Sequence, residues 1–441
     1  MGHVSDIDMT VKQLRELVAG PVLGPDDQGF EAEAVTFNTT VNARPALVVG
    51  ALDRQDVAAS VRFAAEQGLA VAVTSTGHGA VPGGMDGALV INTSRIREIS
   101  VDPQARTVRI GAGNRWGEVV EACAPFGLMP PAGAAPGVGV VGYLLGGGLS
   151  PLGRVFGFAA DHVRALEIVT ADGTHRRVDA EQHEDLFWAL RGGGGGLGVV
   201  TAVEVGLFPV SSLYGGTVFY PGEHAADLLR AFRDWNDGLP DAACGSLALQ
   251  RLPDVPQLPE PLRGRFVVAL RFAYPGDPAE GARLLAPMRA TAEAIIDTVG
   301  ELPLTAFGAI HNDPTEPMPV WDRGDLLPAL PDGAIDALLS AAGPQAADAP
   351  TLVELRRLGG ALARAPRQEN ALGVRDAAYT LFVVGAPGAP SGPGLFATMA
   401  PWTLGAGLPT MRGEAPVATT PEVAARLAKI KATWDPAGLL R

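Results

Sequence analysis

Two hydrophobic periods alternate along this chain, and each switch between them marks an element. Ala46-Leu47-Val48-Val49, opened by Pro45, and Leu69 to Val73 are short apolar runs that read as buried strands. Between them, Asp53 to Gln67 places Val57, Val61 and Ala64 or Ala65 at helical spacing, and Gly68 stops the pattern. Thr10 to Val18 predicts a short amphipathic helix with a Thr cap. Leu89-Val90-Ile91 predicts another strand, and Ile99 to Val101 with Thr107 to Ile110 predicts a hairpin. Trp116 to Phe126 has helical spacing and ends at Gly127. Val163 to Thr170 and Thr174 to Val178 predict a second hairpin, turning at Asp172-Gly173, a pair suited to a tight turn. Asp185 to Leu190 reads as a helix and Leu197 to Phe208 as a strand closed by Pro209.

The pattern changes near residue 209. Half-alternating runs at Gly216–Tyr220, Gly245–Leu252, Phe266–Phe272, Leu352–Leu358 and Ala377–Val384 are interleaved with helical spacings at Ala225–Asn236, Pro278–Arg289 and Asp332–Ala341. That pattern predicts an antiparallel sheet with one face covered by helices. Gly385 to Gly394 is a loop rich in Pro and Gly, and Pro421 to Trp434 predicts a closing helix.

Composition narrows the functional classes. At 441 residues and 47% apolar content the chain is long enough for two or three domains with real cores. A net charge of −14, spread along the chain, argues against a nucleic-acid or anionic-membrane partner. Cys123 and Cys244 stand far apart, so a disulfide framework is not expected and a reducing, cytoplasmic setting is. The first ten residues are polar, unlike a secretory signal, and no apolar run approaches membrane-spanning length.

Candidate chemistry concentrates in glycine. Thr74-Ser75-Thr76-Gly77-His78-Gly79 follows a buried strand and is built of small residues around one His. Such a turn can point successive N–H groups at phosphate oxygens. Gly133 to Gly148 holds seven glycines in sixteen residues, which suits either a run of tight turns or the close approach of backbone to a large flat ligand. Gly192 to Gly198 contains a G-x-G-x-x-G spacing, but it precedes a strand and fails the context of a dinucleotide-binding strand–turn–helix. The remaining histidines form no metal-ligand spacing, and no G-x-S-x-G elbow supports a hydrolase.

Taken together, these segments resemble the FAD-binding oxidoreductases of the vanillyl-alcohol-oxidase superfamily, specifically the berberine-bridge-enzyme-like group. The likeness runs through Arg44 to Val49, Thr76-Gly77-His78-Gly79, Gly137 to Gly148, Phe156-Gly157 to Asp161-His162, Asp185 to Gly194, Gly198-Val199-Val200-Thr201, and the tail Lys429 to Pro436. The resemblance implies an α+β fold. A PCMH-type FAD-binding domain of two α/β subdomains would occupy residues 1–208, with its core at about 40–208. An antiparallel-sheet substrate domain would occupy 209–408, and 409–441 would return to the FAD domain. It also implies a flavin contact set of Thr74, Ser75, Thr76, Gly77, His78, Gly79, Ala135, Gly137, Val138, Val140, Gly142, Gly146, Gly147, Asp161, Gly198 and Val200, with His78 bonded covalently to FAD.

The implied chemistry is hydride transfer from a small-molecule alcohol, hemiacetal or secondary-metabolite C–H to FAD, with dioxygen as the acceptor that yields hydrogen peroxide. Two departures qualify it. The second covalent link of some members uses a Cys where this chain has Ala135, so a single tether through His78 is expected. The Tyr-x-Asn motif that assists proton removal is replaced by Leu408 and Thr410. Tyr379 and Arg356, on neighbouring predicted strands, are the replacement candidates, since an Arg beside a Tyr lowers its pKa. Val138 resembles the position that gates oxygen access and favours an oxidase. Loss of the familiar base leaves two alternatives: a flavin-binding protein with altered chemistry, or a cyclising or monooxygenase-like catalyst.

Overall fold

The computed structural model describes residues 11–210 and 212–441, so the proposed Thr10 cap lies outside the described residues. Three main sheets organise the chain. In the first, Leu47–Gly50 and Val71–Thr74 both pair in parallel with Leu89–Asn92. The helix Arg54–Gln67 makes the crossover between Leu47–Gly50 and Val71–Thr74. Asp53 caps it by accepting from the backbone N–H groups of Gln55 and Asp56, and Gly68 ends it in a left-handed conformation. The strands are buried from end to end, with one exposed residue, Val73, as expected of a covered parallel sheet.

The second sheet is antiparallel and takes both predicted hairpins. Ile99–Asp102 pairs with Thr107–Gly111, and Val163–Val169 with His175–Asp179. Val199–Gly206 lies between the two pairs and completes a five-stranded order. Its core joins Trp116, Val140, Leu166, Ile168, Phe187 and Val203.

The third sheet begins at Leu213–Pro221 and includes Phe266–Tyr274, Cys244–Arg251, Leu352–Arg357, Tyr379–Gly385 and Trp321–Leu327 in that spatial order. The helices Ala225–Asp237, Pro278–Arg289, Asp332–Ala342 and Ser391–Met399 cover one face. Their side of the sheet is apolar, with Leu270, Leu247, Leu355 and Leu381 in register across four strands.

Two elements depart from the expected pattern. Trp321–Leu327 forms a strand although Gly324 and Asp325 interrupt its apolar run. Val140–Leu145 forms a short helix inside the glycine-rich segment, burying Val140 and Leu144 one turn apart. The closing helix Pro421–Trp434 returns to the first half of the chain, where Trp434 Nε1 donates to Asp185 Oδ2 at 3.1 Å. Leu439 and Leu440 then join the core of the parallel sheet.

Candidate active site

The turn after Val71–Thr74 is shaped by Gly77. Its φ is +70°, and a Cβ there would lie 2.7 Å from Thr36 Cα and 3.0 Å from Phe37 N, so no larger residue fits without displacing backbone. This close approach lays the His78 ring flat on Phe37, centroid to centroid 3.9 Å and 19° from parallel. Burial and the nearby Arg115 charge pull the His78 pKa down to about 4, against an opposing effect from Asp313. The imidazole is therefore neutral at pH 7, with a ring lone pair free.

The turn meets the second glycine segment directly. Gly139 N donates to Thr76 Oγ1 at 3.2 Å. Gly79, Gly137 and Gly142 have open space where a Cβ would project, while Ala135 and Val138 are half-buried beside them. Thr74 Oγ1 is buried with no partner among the described residues. Open glycine backbone in two adjoining segments, with an unsatisfied hydroxyl and a neutral imidazole in the first, fits a trough for a flat dinucleotide with many acceptor atoms.

Other expected contact positions are packed by protein. A Cβ on Gly146 would meet Thr410 Cα at 3.2 Å, and one on Gly147 would meet Leu372 Cδ2 at 2.6 Å. Val140 is fully buried, and its N–H donates to Asn114 O. Gly198 packs on Ile168, and the Val200 side chain lies in the second sheet's core. Asp161 is turned away altogether. It accepts from Arg375 Nη2 and Asn370 Nδ2, both at 2.6 Å, and from Phe158 N at 3.0 Å. Asp161 thus anchors the segment around residues 360–378, and its side chain is not open to a ligand.

On the face of the third sheet opposite the helices, strand register sets a polar row across five neighbouring strands: Thr217, Arg271, Ser246, Arg356 and Thr380. Glu354, two residues before Arg356 and on the same face, gathers this row. It accepts from Arg271 Nη1 at 2.6 Å, Ser246 Oγ at 2.8 Å and Arg356 Nε at 2.9 Å. These cationic donors outweigh the cost of burial and hold its pKa well below the carboxylate range, so the group is ionised.

Ser246, Arg271, His311 and Arg356 line a small open cleft together with Leu149, Ser150 and Gly153, at the end of the glycine segment. His311 Nε2 lies 3.5 Å from Glu354 Oε1, but neither ring nitrogen makes a hydrogen bond among the described residues. Burial and the adjacent guanidinium groups lower its pKa, leaving a neutral imidazole. Tyr143 reaches the same region. Its hydroxyl is buried without a partner, and its pKa is raised by burial while the Arg356 charge opposes the rise. Asp313 lies close enough to attract both the His78 and Arg356 side chains.

The expected pairing of Tyr379 with Arg356 does not occur. Strand alternation places Tyr379 on the helix-covered face, 2% exposed and among Phe232, Leu355 and Leu381. Its arginine neighbour is Arg357, 5.1 Å above the ring, and burial raises its pKa. Arg375 precedes the strand and binds Asp161. Leu408 is likewise core, 3% exposed.

Sequence reasoning missed Tyr143, Ser246, Arg271, His311 and Glu354. Arg271 did leave a signal, since it is a lone charge inside an apolar strand and a buried charge requires a partner. Nothing in the local pattern singled out His311.

The FAD binding domain family matches residues 45–179, which contain both glycine segments of the trough. The chain carries an FAD-binding domain. This flavoprotein is 37% identical over 223 residues to (R)-6-hydroxynicotine oxidase of Paenarthrobacter nicotinovorans, covering 49% of this chain and 48% of that protein. It spans about half, or less, of the length of the curated relatives it matches. Among solved structures it is similar to 6-hydroxy-D-nicotine oxidase from Arthrobacter nicotinovorans, with TM-score 0.83, 26% identity, and 96% of this chain and 97% of that one covered. It also shares its fold with the Physcomitrella patens BBE-like 1 protein, with TM-score 0.85, 21% identity, and 98% and 97% covered. Among the described residues no helix is long and apolar enough to cross a membrane, and no cluster of His, Cys, Asp and Glu could hold a metal ion.

Proposed function

We propose that this flavoprotein is an oxidoreductase acting on a small molecule at a carbon that bears a hydroxyl group. FAD would be tethered through His78 alone, and dioxygen would be the acceptor. The observation that carries this reading is the cleft itself. One wall is the end of the glycine segment of an FAD-binding domain, and the other is a buried row of ionised and neutral polar side chains. In this division, residues 1–208 with 409–441 hold FAD, and 209–408 supply the substrate wall.

Bound FAD supplies the hydride acceptor and its reoxidation by dioxygen. The chain's own part is positioning and proton handling. His311, neutral and with both nitrogens free, accepts the substrate hydroxyl proton. Glu354, ionised beside it, stabilises the imidazolium that forms. Arg356 fixes the substrate's polar end, and the Tyr143 hydroxyl, kept neutral by its burial, donates to substrate oxygen. His78 is suited to a covalent bond because its imidazole is neutral, and Ala135 offers no second attachment. Val138, half-buried beside the trough, supports oxidase behaviour through the position it resembles. Buried, unpaired Cys123 and Cys244 support a reducing, cytoplasmic setting.

Acid precipitation of the purified protein tests the tether. Yellow colour kept in the wild-type pellet and lost from His78→Ala supports it; a colourless wild-type pellet removes it. Anaerobic bleaching across a panel of alcohols, sugars and hydroxy acids tests turnover. A flavin that no member bleaches would turn the reading toward a binding protein.

A further inference from the structure

The charges bordering the cleft do not cancel. Four arginines border it: Arg154, Arg271, Arg356 and Arg357. Two of them are already employed. Arg154 donates to the carbonyls of Ala243 and Leu358, at 2.9 and 2.6 Å, and Arg357 lies over Tyr379. The other two share the single carboxylate of Glu354, so two guanidinium charges stand against one negative charge.

His311 beside them is neutral. Asp313 attracts Arg356 but forms no ion pair with it among the described residues. Arg356 commits only Nε to Glu354, and its two terminal nitrogens have no protein acceptor among the described residues. Arg271 Nε is buried without a partner as well. The buried Arg271 Nε carries a desolvation cost unless an acceptor completes it, while the Arg356 side chain is 14% exposed and its terminal nitrogens are open to an acceptor. The protein as a whole is strongly acidic and repels anions at long range, so this local excess of positive charge is not a general property of its surface.

We propose that the substrate carries a carboxylate, bound by the terminal nitrogens of Arg356 beside Arg271, making a carboxylate-bearing small molecule the substrate class; this rests on the oxidoreductase reading above. A carboxylate offers two coplanar acceptors that match a guanidinium fork. With Asp313 also near Arg356, the positive charge at the cleft suits a monoanion better than a phosphate dianion.

The test is calorimetric titration of the whole chain as purified, at low ionic strength. The probes are benzoate, phenylacetate and 2-hydroxyisobutyrate, each beside its primary amide, with inorganic phosphate as a further arm. In the wild type at least one acid should bind about tenfold to a hundredfold more tightly than its amide, the range expected for hydrogen bonds to a charged group. Arg356→Gln should bring that ratio to about one while FAD content stays unchanged.

Three results would overturn the proposal: a wild-type ratio near one for all three pairs, a preference that survives Arg356→Gln, or phosphate binding more tightly than every acid. The wild-type comparison decides even if the variant does not fold. FAD content separates the two readings. Protein that prefers acids but takes up no FAD would sink the oxidoreductase reading and leave the anion site. FAD-loaded protein without the preference would do the reverse.

Discussion

Arg271 Nη1 donates to Glu354 Oε1 at 2.6 Å across two strands of the third sheet, and neither residue is more than 3% exposed. A carboxylate so placed is bonded to two guanidinium groups at once. Removing one partner from a buried pair costs about 3–5 kcal/mol, because the survivors stay buried and unpaired. Glu354→Gln should therefore lower the unfolding free energy at pH 7, read from the urea midpoint and slope, by an amount of that order. The folded-state pKa of Glu354 lies well below its ordinary value of 4.5. Its stabilisation is then complete above about pH 4.5 and is lost as pH falls through the folded value. The variant should show a shallower acid limb than the wild type. An unchanged midpoint would mean that the cluster contributes nothing net.

Gly137 and Gly148 make opposite predictions from the same segment. Gly137 has an ordinary φ and open space at its Cβ position. Gly137→Leu should change the stability of FAD-free protein by less than about 0.5 kcal/mol, as expected of a surface site, while blocking FAD uptake. Gly148 has φ +71°, and a Cβ there would overlap Tyr143 and lie 2.7 Å from the Ala159 Cβ. Gly148→Ala should cost about 1–3 kcal/mol from backbone strain and overpacking together. Thermal melts and flavin absorbance separate the two effects. Strong binding of FAD by Gly137→Leu would move the trough elsewhere.

Much of the fold was legible because alternation and turn chemistry agreed. The Asp172-Gly173 hairpin and the helices Pro278–Arg289 and Pro421–Trp434 follow the sequence pattern closely. Trp321–Leu327 was not legible, because Gly324 and the buried Asp325 break its apolar period. The helix Val140–Leu145 was hidden by the glycines around it. Alternation puts Tyr379 and Leu381 on one face, but does not say which face of the sheet looks toward the cleft. The row Thr217–Arg271–Ser246–Arg356–Thr380 exists only through inter-strand register, which no local pattern encodes.

His78 should titrate far from an ordinary histidine. Its folded pKa is about 4, against 6.5 for the free side chain. The unfolded chain binds the extra proton first, so His78 favours folding fully above about pH 6.5 and progressively less down to pH 4. In protein produced without FAD, His78→Gln should lose less stability than the wild type over that window. NMR titration of the imidazole gives the value directly; a pKa near 6.5 would mean that the ring is not buried against Phe37.

Asp161 and Arg375 join parts of the chain 214 residues apart. Their side chains are only 8% and 13% exposed, and Asn370 completes the junction. Arg375→Ala should destabilise by about 2–3 kcal/mol, somewhat less than a fully buried pair. Amide exchange should accelerate in residues 360–378 before the rest of the chain, because this contact ties that segment down. Uniform acceleration would show that Asp161 supports the whole fold rather than one segment.

His311 is the sharpest point at which the proposed chemistry can fail. Its ring is neutral, its nitrogens are free, and Glu354 is 3.5 Å away, ready to stabilise a proton gained. A positioned base contributes about 10²–10⁴-fold to rate. His311→Gln preserves much of the volume and the hydrogen-bonding capacity but cannot accept a proton at neutral pH. With a substrate found by anaerobic bleaching, the rate of flavin reduction should fall by about 10²-fold or more, with substrate affinity changed far less. The acid limb of the wild-type reduction rate should also disappear, since that limb reports protonation of the base. A reduction rate within a few-fold of wild type, or an acid limb that survives the substitution, would assign the proton to another group, and Tyr143 is the next side chain with a free polar atom facing Arg356.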